Sequence, residues 1–136
     1  MWLTVPESVI IILNIYGRFV VMKILHCADL HLDSKIDTLP PDKTKIRRDE
    51  IVRTFEKLCD YAKTEQVVAV IIAGDMFDTA RVTSKTKSRV LQAISKCEGV
   101  DFLYLSGNHD EDNFIAEVGE LPKNLKVFGD EWSNFE

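Results

Sequence analysis

Apolar positions along the chain follow two rhythms. Val20 to His26 is a short run of branched and aliphatic residues that stops at polar loop chemistry, which predicts a strand. Residues 27–44 read as a long loop, with Pro40 and Pro41 as breakers. From Lys45 to Lys63 the period changes. Ile51, Phe55, Leu58 and Ala62 recur at steps of three and four, with Val52 and Cys59 beside them, which predicts a helix. Val67 to Ala73, "VVAVIIA", is continuously apolar, as a strand covered on both faces would be. A second helix is predicted from Ser84 to Glu98, with Val90, Leu91, Ile94 and Cys97 as its stripe and Ser84 as the candidate N-cap. Residues 101–106 predict a third strand, 111–120 a short helix and 124–129 a fourth strand. The order is β-α-β-α-β, then a short connection and β. Right-handed crossovers make the first three strands parallel, which gives an α/β fold with helices flanking a largely parallel sheet.

Composition narrows this picture. The 136 residues suffice for one domain with a single core, and 46% of them are apolar, so the chain should fold. The net charge of -5 excludes a chain that is basic throughout. The charge is uneven, however: 12 Lys/Arg against 7 Asp/Glu from Lys43 to Lys96, and 2 lysines against 8 acids from Asp110 to Glu136. The basic middle reads first as solvated helix surface, and second as an attractor for a phosphate-rich substrate. Three widely spaced cysteines without a CxxC argue against a disulfide framework or zinc knuckle and point to a reducing, cytoplasmic setting. "VIIIL" at 9–13 is far short of a membrane span, and no signal-peptide pattern surrounds it, so no membrane partner is expected. Met22 opens a clean pattern. Residues 1–21 are therefore expected to be an extension that begins upstream of the natural start, and 22–136 the domain proper.

The candidate chemistry lies where the predicted strands end. Parallel strands share one carboxyl edge, and ligands bind there in open α/β sheets. After the first strand come Asp29 and His31; after the second, Gly74, Asp75 and Asp78; after the third, Gly107, Asn108, His109 and Asp110. Alone, each has an ordinary reading: a surface D-x-H, an Asx turn, or a turn using Asn and Gly. Together, in order, they converge. Carboxylate, amide and imidazole donors suit Mn²⁺, Fe or Zn²⁺, and without thiolate they do not suit structural zinc. The glycines let the backbone turn sharply before each donor. His26, inside the strand, reads as an interior or edge histidine and not as a ligand.

"DLH", "GDMFD" and "GNHD" resemble the opening motifs of the calcineurin-like metallophosphoesterase superfamily, D-x-H, G-D-x-x-D and G-N-H-D/E. "MKILHCADLHLDS" and "VIIAGDMFD" are further similar to its SbcD-type DNA-repair exonuclease branch. The resemblance covers about Met22 to Gly129. It implies the N-terminal βαβαβ portion of a two-sheet sandwich, and two divalent ions, with Mn²⁺ first and Fe, Zn²⁺ or Mg²⁺ as alternatives. By the same resemblance, Asp29 and His31 would hold one ion, Asp75 both, and Asn108 the second. His109 would act at the leaving oxygen, Asp110 would orient His109, and Asp78 would hold its loop. The expected reaction is attack of a metal-activated water on a phosphodiester of DNA, with an SbcC-like ATPase as a possible partner. The superfamily's later histidine and G-H-x-H loop are missing, since His26, His31 and His109 are the only histidines. The domain is therefore expected to be incomplete at its C-terminus and weakly active, with a homo-oligomer as one way to cover its open sheet face. Two alternatives stay open: an inactive fragment or binding scaffold on the same fold, and a small-molecule phosphatase or cyclic-nucleotide phosphodiesterase.

Overall fold

A computed structural model of the chain describes residues 7–15, 18–77, 82–107, 120–129 and 131. The elements are β1 (Glu7–Ile15), β2 (Arg18–Cys27), α1 (Pro41–Thr64), β3 (Ala69–Ala73), α2 (Ser84–Ser95), β4 (Asp101–Leu105) and β5 (Leu125–Phe128). They form one five-stranded sheet whose strands lie side by side in sequence order. β2 to β5 are mutually parallel, and β1 runs antiparallel to β2, with Ile11 opposite Met22. Residues 7–15, within the segment expected to be an extension, thus pair as an edge strand. The expected helix at 111–120 falls outside the described residues except at Glu120.

Because each parallel strand is added beside the last, right-handed crossovers place α1 and α2 on the same face. That face is the core. Leu25, Val70 and Phe102 lie in register across β2, β3 and β4, each fully buried. Beneath the helices they meet Ile51, Phe55, Cys59 and Ala62 of α1 and Val90 and Ile94 of α2. Burying one such aliphatic or aromatic side chain stabilises the fold by about 1.5–3 kcal/mol. The opposite face is only half covered among the described residues: Ala69, Ile71 and Ala73 alternate with the buried Val70 and Ile72. The expectation that β3 is covered on both faces is corrected accordingly.

Several boundaries also shift for physical reasons. The first helix begins at Pro41, not Lys45. A proline at the first helical position loses no hydrogen bond, because that N–H has no intrahelical acceptor. The Thr44 amide closes the first turn on the Pro40 carbonyl at 2.9 Å. The second helix is capped by Thr83 and not Ser84: the Thr83 hydroxyl accepts from the Thr86 amide at 3.2 Å. It ends at Ser95 and not Glu98. The Asn124 side-chain amide there donates to the carbonyls of Ile94, Cys97 and Val100 at 2.8, 3.1 and 3.1 Å. β3 starts at Ala69, two residues inside the apolar run, and β2 extends from Arg18 to Cys27.

Much of the basic middle is neutralised locally. Arg89 on α2 bridges Glu56 and Asp49 of α1, Arg53 pairs with Asp49 and Arg47 with Glu50. The reading of this stretch as solvated helix surface accounts for these residues. Among the described residues, no helix is long and apolar enough to cross a membrane.

Candidate metal centre

The carboxyl ends of β2, β3 and β4 are aligned by their register, Cys27 beside Ile72 and Ile72 beside Tyr104. The loops that follow therefore start from one edge. The first, from Ala28 to Ser34, has three non-glycine residues at positive φ: Asp29 (52°), His31 (44°) and Asp33 (64°). This conformation costs an L-residue about 1–2 kcal/mol and is least costly for Asp and Asn. Asp29 is turned to solvent and His31 is half-buried, while Leu32 beside them points inward and is 1% exposed. The stretch D-L-H-L thus supplies two donors, Asp29 and His31, with Leu32 as the apolar anchor beneath them.

The second loop runs beside the first. The His31 amide donates to the Asp75 carbonyl and the Leu32 amide to the Met76 carbonyl, both at 3.0 Å. Leu32 and Phe77 form a parallel bridge. Met76 and Phe77 are buried, fixing Asp75 from beneath. Gly74 and Asp75 both have positive φ, 82° and 48°, and the Gly74 amide donates to the Leu105 carbonyl at 2.9 Å. Gly107 closes the third side: a Cβ built there would overlap the carboxylate and amide of Asp75. A glycine is required at 107 so that Asp75 can sit against the third loop.

The result is a three-residue cluster. One donor atom each from Asp29, His31 and Asp75 lie within 4.8 Å of one another, with Asp29 exposed and the other two half-buried. His31 Nε2 is 3.9 Å from Asp29 Oδ1. Two carboxylates this close repel unless a cation or proton lies between them. Metal bonds to oxygen or nitrogen are about 2.0–2.2 Å, so donors across one ion are roughly 4 Å apart. The span and the hard, thiolate-free donor set therefore fit a divalent cation. The nearest thiol agrees. Burial pushes Cys27 up to about 11, and its Sγ donates to the Ile71 carbonyl at 3.5 Å, so it stays neutral and turned into the sheet.

Of the residues expected from the sequence, Asp29, His31 and Asp75 are brought together. Asp78, Asn108, His109 and Asp110 lie outside the described residues. His26 sits on the open face of the sheet and is exposed, away from the interior environment expected as one option. Sequence reasoning missed Asp33. Its place two residues after His31, continuing the every-second-residue polar pattern of Asp29 and His31, was the available signal.

The family model for calcineurin-like phosphoesterase matches residues 22–136. A DNA double-strand break repair protein Mre11 from Aeropyrum pernix is 32% identical over 98 residues, covering 71% of this chain and 23% of that protein. The Mre11 of Methanosarcina acetivorans is 32% identical over 125 residues, covering 79% and 20%. One component of the nuclease SbcCD of Escherichia coli K12 is 33% identical over 102 residues, covering 74% and 24%. The chain thus spans about a fifth to a quarter of the length of the curated relatives it matches.

Proposed function

The chain belongs to the calcineurin-like phosphoesterase family, and we propose that it contributes the first metal-binding loops of a DNA phosphodiesterase of the exonuclease type. The observation that carries this reading is the meeting of Asp29, His31 and Asp75 from two separate loops within 4.8 Å. Relatives named as a break-repair protein and a nuclease component support DNA as the substrate. A cytoplasmic setting and an ATPase partner of the SbcC kind belong to the same proposal.

In this reading Asp29 and His31 would hold one ion, Asp75 would serve both and Asn108 the second. Bound there, divalent ions would supply positive charge to acidify water and offset charge developing on the phosphoryl group. His109 would stabilise or protonate the leaving oxygen, with Asp110 expected to orient His109 and Asp78 to steady the loop after β3. The half-buried positions of His31 and Asp75 reduce competition from water for these contacts.

The test is a Mn²⁺ titration of the purified chain followed by electron paramagnetic resonance, with hydrolysis of bis-p-nitrophenyl phosphate and of DNA as second readouts. Asp75→Ala is expected to weaken Mn²⁺ binding by more than about 100-fold, beyond the range typical of residues behind the ligands. Hydrolysis is expected to be slow and strictly Mn²⁺-dependent. Mn²⁺ binding that Asp29→Ala and Asp75→Ala leave unchanged would refute the proposal.

A further inference from the structure

Asp33 is not one of the clustered donors, yet its side chain is only 7% exposed. Among the described residues, two groups hold its carboxylate. The Thr83 amide donates to Oδ2 at 2.9 Å, across 50 residues of sequence. The Arg48 guanidinium stands 3.9 Å from Oδ1 while its Nε donates to the Ser34 carbonyl at 2.8 Å. Asp33 therefore joins the end of the Asp29–His31 loop to α1 and to the far end of the connection between β3 and α2.

That connection also carries Asp75. Its near end is already zipped to the first loop by the His31 and Leu32 amides. Asp33 fastens its far end at Thr83, so the two ligand loops are attached to each other at both ends. The attachment has something to oppose. Positive φ at Asp29, His31 and Asp33 favours relaxation of the first loop toward ordinary backbone. Relaxation would separate the donor of His31 from that of Asp75. The anion also sits at the positive N-terminal end of α2, which strengthens the tie.

We propose that Asp33 is a positioning residue: clamped between the Thr83 amide and Arg48, it holds the loop of Asp29 and His31 at ligating distance from the loop of Asp75. Its functional meaning rests on the metal reading above, but its structural effect can be read separately.

The experiment compares the full chain with Asp33→Ala and Asp33→Asn by amide hydrogen exchange and by Mn²⁺ titration. In Asp33→Ala the amides of His31, Leu32 and Thr83 are expected to exchange at least about tenfold faster, while those of Ile72 and Phe102 in the core are unchanged. Mn²⁺ affinity should fall about 10–100-fold, the range for residues that orient metal ligands. Asp33→Asn keeps an oxygen for the Thr83 amide and loses the charge facing Arg48, so it should rescue most of the protection and part of the affinity. The idea is overturned if Asp33→Ala leaves His31 and Leu32 protection intact, or if every amide speeds up together, which would mark a general loss of stability. A parent chain that binds no Mn²⁺ while Asp33→Ala still frees His31 and Leu32 would sink the metal reading and leave the clamp standing. A parent that binds Mn²⁺, matched by an Asp33→Ala chain of equal affinity and exchange, would do the reverse.

Discussion

Gly107 shows how much a single missing methyl can matter. A Cβ at this position would collide with the Asp75 carboxylate and amide, and both are held by a loop with little room to yield. Gly107→Ala is expected to cost about 1–3 kcal/mol, as overpacking does, and to weaken Mn²⁺ binding about tenfold by displacing a ligand. Thermal melts and the metal titration together check this. Gly99 is the control. Its φ is 82°, but a Cβ there would meet nothing within 4 Å. Gly99→Ala should cost about 1–2 kcal/mol of backbone strain and leave metal binding unchanged. At this scale the sequence was partly legible. Asp29, His31 and Asp75 follow apolar runs directly, so their shared edge could be inferred from strand order. Asp33 could not be read in the same way, because its partner Thr83 lies 50 residues away and contributes only a backbone amide.

Among the elements, the helix α2 depends on a side chain from outside itself. Asn124, just before β5, donates to three carbonyls around the end of α2. Asn124→Ala is expected to cost about 1–3 kcal/mol by removing its bonds to these carbonyls, of which Ile94 and Cys97 keep the backbone amides of Cys97 and Val100 as donors. Asn124→Asp should cost more, since it faces them with an acceptor, and urea unfolding would rank the two. The contacts between elements also carry a pH dependence. Burial raises the pKa of Cys27, Cys59 and Cys97, and Cys97 donates its S–H to the Cys59 carbonyl at 3.3 Å, joining α2's exit to α1. Above about pH 8.5 the unfolded chain loses thiol protons that the folded chain retains, so stability must fall as pH rises. For Cys27 this continues until about pH 11. The loss is at most about 1.4 kcal/mol per pH unit for each thiol. Urea midpoints at pH 7.5 and 10 measure it, and Cys27→Ser should make the fall shallower. The periods of three and four made both helices legible. Their starts were not, because Pro41 breaks a helix in most positions and opens one in the first, and Thr83 competes with Ser84 as a cap through geometry that the sequence does not encode locally.

Among the described residues, the sheet carries helices on one side only. Both helices cover the same face of the sheet, while the other face presents Ile71 and Leu103 half-buried and Leu105 51% exposed. Exposed apolar surface of this kind binds hydrophobic dyes, so anilinonaphthalene sulfonate fluorescence should rise on mixing with the native chain and fall in Leu105→Lys. That β2, β3 and β4 run parallel was legible from the succession of strands and helices and from crossover handedness; the antiparallel β1 was not. The half-open second face was not, because continuous apolar runs look alike whether their second face is covered or bare. The strand order has a further consequence for biosynthesis. Neighbours in space are neighbours in sequence, so a nascent polypeptide leaving the ribosome can add each strand to a finished edge without waiting for a distant segment. All three clustered donors are encoded within the first 75 codons, ahead of those of α2, β4 and β5, so they leave the ribosome before these elements do. A cation captured at that stage would meet the growing chain during its synthesis and would not need to enter a finished protein.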